Sequence, residues 1–83
     1  MTNIYVGNLP YSVNDAELQQ MFSEHGAVKS AKVVMDRETG RSRGFGFVEM
    51  PDDAEAQAAI AAMNGQDMDG RKLVVNVAKP KAR

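Results

Sequence analysis

Arg43-Gly44-Phe45-Gly46-Phe47-Val48-Glu49-Met50 sets two phenylalanines two residues apart, with a glycine between them and a cation in front. Along a β-strand, residues i and i+2 share a face. Phe45 and Phe47 therefore stand side by side on one surface, while Gly46, Val48 and Met50 point to the other. A second segment, Ile4-Tyr5-Val6-Gly7-Asn8-Leu9, repeats the pattern with Tyr5 out and Ile4 and Val6 in. The competing reading buries the three rings, as most phenylalanines are buried. Alternation opposes it, because aliphatic residues already hold the inward positions and a one-residue slip would bury Glu49.

The rest of the chain supplies elements of matching size. Asn3–Gly7 reads as the first strand, and Asn8-Leu9-Pro10-Tyr11 as a turn, with Pro10 biasing Leu9 away from the helical region. Asn14 is a good helix cap with Glu17 three residues on, which predicts a helix over Asp15–His25 with Leu18, Met21 and Phe22 as its apolar stripe. Gly26 is expected as the left-handed cap. Val28–Met35 reads as a second strand. The polar run Asp36–Ser42, turning at Thr39-Gly40, leads to the aromatic strand at Phe45–Met50. Asp52 caps a second helix with Glu55 at its third position, and Ala56, Ala59, Ile60 and Met63 form its buried stripe. Asn64-Gly65 ends it. Gln66–Gly70 leaves room for a short extra hairpin, and Lys72–Ala78 alternates as the last strand. The order βαββαβ implies an α+β, ferredoxin-like sandwich: a four-stranded antiparallel sheet with both helices on one face. The opposite face carries the aromatics, and an exposed apolar patch of that kind marks a binding site.

Arg43–Met50 resembles the longer ribonucleoprotein motif of the RNA recognition motif family, and Ile4–Leu9 resembles that family's shorter motif. The octapeptide follows the basic-Gly-aromatic-small-aromatic-aliphatic order and departs at Met50, where the family has Phe or Tyr. Alternation turns Met50 inward, so the departure touches packing and not base contact. The resemblance covers nearly the whole chain and includes small single-domain bacterial members. It implies a domain over residues 1–79 with a short basic tail at 80–83. It also implies that the strands bearing Tyr5 and Phe45/Phe47 are neighbours at the sheet centre. The region of Asn76 and Lys79 would contribute hydrogen bonds to base edges, partly from backbone.

Composition bounds the alternatives. Eighty-three residues with 43% apolar content suit one globular domain. There is no cysteine, hence no disulfide and no thiolate metal site, which fits a reducing cytosol. Neither an apolar run of transmembrane length nor a signal peptide is visible. The net charge of −1 opposes nucleic-acid binding only until its distribution is read. All ten cations fall outside the two helical segments, which carry Asp15, Glu17, Glu24, Asp52, Asp53 and Glu55. Capping and the helix dipole explain the acids but not the missing cations.

Around the proposed stacking residues Tyr5, Phe45 and Phe47, Arg43 stands where it would meet a phosphate, or else is a solvated hairpin cation. Lys32 reads as outward on the second strand. Arg37 and Arg41 either clamp a bound strand or pair with Asp36 and Glu38. Asn8 suits a turn-stabilising role, Tyr11 a loop-packing one, and Phe22 the core. Glu49 faces outward; it either accepts from a base amino group or discourages wrong ligands. His25, the lone histidine, suits a helix-end surface position. No His/Asp/Glu cluster has ligand spacing, and Gly44-Phe45-Gly46 lacks the Lys-Ser/Thr ending of a phosphate loop. The reading is therefore a non-enzymatic, cofactor-free cytoplasmic monomer binding single-stranded RNA by base stacking. Single-stranded DNA is the near rival, since bases stack equally well. A protein-interaction module on the same fold is a second. A small enzyme lacks a catalytic constellation.

Overall fold

Strand β1 (Thr2–Gly7) opens the chain and sends Ile4 and Val6 into the core, both fully buried. The computed structural model describes residues 2–40 and 42–78, with only the backbone of Ser42 and Arg43. Helix α1 (Asp15–Ser23) starts at the predicted cap: Glu17 N–H donates to Asn14 Oδ1 at 2.8 Å, and Asn14 N–H donates back to Glu17 Oε1 at 3.3 Å. Leu18 and Phe22 bury its apolar stripe. The helix stops two residues short of His25, and Gly26 is not its left-handed cap. Glu24 caps it in right-handed geometry. Glycine is needed at 26 for a different reason: a Cβ there would lie 2.6 Å from the Cβ of Glu55.

Strand β2 (Ser30–Met35) begins later than predicted, although Lys29 N–H already bonds the Glu49 carbonyl at 2.8 Å. Strand β3 (Ser42–Met50) is longer than predicted, because Met35 pairs with Ser42 and the Gly44 carbonyl accepts from Leu9 N–H at 2.7 Å. Helix α2 (Asp53–Met63) is capped by Asp52, whose Oδ1 accepts from Ala54 N–H at 2.8 Å and Glu55 N–H at 3.1 Å. Glu55 does not return to its own cap. Its carboxylate accepts from Ala27 N–H at 3.0 Å and so ties α2 to the loop after α1.

The extra hairpin is present as β4 (Asp67–Met68) and β5 (Arg71–Lys72). Asp69 and Gly70 both take positive φ, 52° and 79°, as a tight hairpin turn requires. The last strand is therefore shorter than predicted: β6 (Val74–Val77) begins after Leu73, whose N–H and carbonyl bond Gln66 and Gly65. The main sheet has the order β2-β3-β1-β6, antiparallel at every pairing. Val48, Met50 and Val75 join Ile4 and Val6 beneath the helices, where α2 adds Ala56, Ala59 and Met63. Burying each large apolar side chain contributes roughly 1.5–3 kcal/mol. The helices occupy one face, and the alternation leaves the other face uncovered.

Candidate nucleic-acid interface

The uncovered face is organised by register. Tyr5 pairs with Phe47, Phe47 with Lys32, and Tyr5 with Asn76. One row, Lys32–Phe47–Tyr5–Asn76, thus crosses all four strands, with a cation at one end and an amide at the other. The adjoining row is Phe45–Gly7–Val74. On the opposite side lies Ser30–Glu49–Asn3, where the Ser30 hydroxyl donates to Glu49 Oε1 at 2.9 Å. Glu49 therefore stays on the open face as expected, held by a neighbour on β2.

Phe47 is 40% exposed, and Tyr5 and Phe45 are half-buried. Their ring centres form a nearly equilateral triangle: Tyr5–Phe47 5.8 Å, Tyr5–Phe45 6.0 Å and Phe45–Phe47 6.2 Å. Phe47 meets both neighbours edge-on, at 66° and 84°, whereas Tyr5 and Phe45 are tilted by 34°. Edge-to-face packing is favourable for the rings themselves. It also means that a flat group lying on Phe47 cannot lie flat on its neighbours. The platform offers separate stacking faces, suited to splayed planar groups and not to one large ring system.

Two glycines shape this surface. Gly7 lies beneath the Tyr5 ring, and a Cβ there would fall 2.5 Å from the Tyr5 hydroxyl. Gly46, on the core side between the phenylalanines, lies so close to β2 that a Cβ would sit 2.5 Å from the Lys32 carbonyl oxygen. This is where β2 breaks register between Val33 and Met35. The Val33 N–H there donates instead to Asp15 Oδ1 at 2.7 Å. Asp15 is thus more than a helix-dipole acid; it secures the strand that carries Lys32.

Beyond Gly7, Asn8 takes φ 59°. It donates from Nδ2 to the Lys72 carbonyl at 2.8 Å and accepts at Oδ1 from Arg71 Nη1 at 3.2 Å. The turn-stabilising role is what the geometry shows. Arg71 also lies 5.0 Å above the centre of the Tyr11 ring, which is 63% exposed. Sequence reading missed Gly7, Val74 and Arg71. Gly7 and Val74 had a signal, each standing two residues from a residue already read as outward, Tyr5 and Asn76.

The structure brings Tyr5, Phe45, Phe47, Lys32 and Asn76 together. Arg37 is exposed in the turn after β2 and has no ion-pair partner among the described residues. Asp36, a suggested partner, accepts instead from Glu38 N–H at 2.8 Å. Arg41, Lys79 and the side chain of Arg43 lie outside the described residues. Among the described residues no group of three or more His, Asp or Glu side chains could hold a metal ion.

Comparison with known proteins agrees with this geometry. A family model described as the RNA recognition motif matches residues 4–74. The 31 kDa chloroplast ribonucleoprotein of Nicotiana sylvestris is 61% identical over 80 residues, covering 96% of this chain and 25% of that protein. The chain thus spans only a fraction of the chloroplast relatives it matches. A putative RNA-binding protein, RbpA, of Synechocystis is 56% identical over 79 residues, covering 95% of this chain and 78% of that protein. The crystal structure of RNA binding protein PG1 superposes with a TM-score of 0.92 at 51% identity over all of both chains. The Rna15 RRM solved with bound RNA (GU) gives 0.85 at 28% identity, covering 94% of this chain and 83% of that one. This chain is a member of the RNA recognition motif family.

Proposed function

We propose that this domain binds short single-stranded RNA and performs no chemistry on it. Bases stack separately on Tyr5, Phe45 and Phe47, while Lys32, Arg43 and the cations at 37, 41 and 79 neutralise phosphates around the rim. Asn76, at the far end of the central row, offers an amide donor and acceptor to a base edge. The observation that carries the reading is the register-matched row Lys32–Phe47–Tyr5–Asn76 on the helix-free face. The Rna15 RRM, a relative in fold and sequence solved with RNA, supports it.

The domain acts as a monomer in the cytoplasm in this reading, which sedimentation and cell fractionation test. The experiment for the function is a binding array of short randomised RNA and DNA oligomers at two salt concentrations. RNA should bind, and affinity should fall with salt by a slope near −0.7 per phosphate neutralised. Phe45→Ala and Phe47→Ala should each weaken binding roughly tenfold, since a base–aromatic stack contributes about 1–3 kcal/mol. Unchanged affinity in both variants, with the fold intact, rules the platform out. Equal binding of DNA would favour the second reading, a sugar-indifferent single-strand binder, because Tyr5, Phe45 and Phe47 offer a π-face to either nucleic acid.

A further inference from the structure

On the open face, Phe47, Glu49, Ser30 and Lys32 form one group that spans β2 and β3. Glu49 follows Phe47 by two residues on β3, so it shares that ring's face, about 7 Å further along the strand. Ser30 stands opposite Glu49 on β2, and Lys32 stands opposite Phe47. Phe47, Ser30 and Lys32 are exposed, and Glu49 is half-buried. The Ser30 hydroxyl donates to Glu49 Oε1 at 2.9 Å. Lys29 N–H steadies the same stretch of β3 by donating to the Glu49 carbonyl at 2.8 Å. A carboxylate has about four acceptor sites, and Ser30 fills only one of them. Lys32 has no ion-pair partner among the described residues, Glu49 included. An oriented carboxylate with open acceptor sites and an ammonium group thus flank the most exposed ring of the platform.

We propose that Glu49, oriented by Ser30, selects guanine as the base stacked on Phe47, an inference that rests on the stacking reading above. A base lying on that ring strips water from the carboxylate, which costs affinity unless the base returns N–H donors. The Watson–Crick edge of guanine presents a carbonyl oxygen, a ring N–H and an amino group in a row. Its two donors match the two oxygens of Glu49, and its carbonyl falls on the Lys32 side. Adenine and cytosine each bring an amino group beside a ring-nitrogen lone pair. Uracil brings one N–H between two carbonyls. Each of these edges sets a lone pair against the carboxylate. A carboxylate that served only to repel unwanted ligands would need no fixed orientation, and Ser30 gives this one an orientation.

The full chain is titrated with short oligouridines that carry guanosine, inosine, adenosine, cytidine or uridine at one central position. The guanosine oligomer should bind roughly tenfold tighter than those with adenosine, cytidine or uridine. Inosine, which lacks only the amino group, should fall between. Glu49→Gln should weaken the guanosine oligomer to near the affinity of the uridine one, and Ser30→Ala should remove part of the preference. Phe47→Ala should instead lower affinity for every oligomer. Equal binding of every oligomer by the parent would overturn the inference and leave the platform standing. So would a Glu49→Gln protein that keeps the full guanosine preference, or inosine binding as tightly as guanosine. If no oligomer bound, the platform itself would fall, and this inference with it.

Discussion

A Cβ on Gly7 would overlap the Tyr5 ring, and a Cβ on Gly46 would overlap the Lys32 backbone, yet the two clashes differ in kind. Tyr5 is a side chain on the open face and can swing away. The Lys32 carbonyl belongs to a paired strand and cannot. Gly7→Ala should therefore leave the melting temperature close to that of the parent while lowering RNA affinity several-fold, because the Tyr5 face is displaced. Gly46→Ala should destabilise the domain by about 1–3 kcal/mol, read from urea unfolding, since the close packing of β3 on β2 has no room for a methyl group. If both variants lost stability equally, the Tyr5 ring would not be the movable partner. Side-chain spacing alone makes Tyr5, Phe45 and Phe47 legible as an exposed set. Their mutual angles are not legible in it, because a two-residue period fixes a face and says nothing about how rings on neighbouring strands tilt.

Element by element, the local signals that came with a mechanism were reliable. Asn14 and Asp52 cap their helices where the sequence placed them. Asn14→Ala should cost about 1 kcal/mol in thermal or urea unfolding, with the loss appearing first in hydrogen exchange of the α1 N-terminus. The signals that failed were those answered by a distant partner. Glu55 reads as half of a capping box, yet its carboxylate reaches Ala27, and Gly26 is glycine because Glu55 comes so close. Asp15 reads as a first-turn acid, yet it holds the Val33 N–H at the irregularity of β2. A one-dimensional pattern has no means of showing a bond that spans 18 residues. Asp15→Ala should therefore behave differently from an ordinary dipole mutation. It leaves a part-buried N–H without its acceptor, a loss of about 1–3 kcal/mol. It should also loosen β2 enough to weaken RNA binding through Lys32. An Asp15→Ala protein with parent-like exchange at Val33 would remove that link.

Across the whole molecule, charge is sorted by layer, and acid pH should reveal which carboxylates support the fold. Asp53 opens α2 and accepts from the Thr2 hydroxyl at 2.6 Å, joining the start of β1 to the helix of the second βαβ half, β3-α2-β6. That hydrogen bond leads the causes that hold its carboxyl below the ordinary 3.8. A carboxyl whose value is lower in the folded chain than in the unfolded one favours folding while it is ionised in both states. Its contribution is present above 3.8 and fades as the pH falls from there through the lower folded value. The side chain is fully exposed, so solvent screens the effect and the contribution is small. Melting temperatures of the parent and of Asp53→Asn, measured from about pH 6 downward, should therefore differ at the top of the range and converge below the carboxylate region. The cap at Asp52, one residue earlier, is the control. Asp52→Ala removes acceptors for two N–H groups, so its deficit of about 1 kcal/mol should remain visible at neutral pH whatever Asp53 does. A gap between the parent and Asp53→Asn that stayed constant through the acid range would mean that the Thr2 contact acts by shape alone. The joint between the two halves would then be insensitive to ionisation.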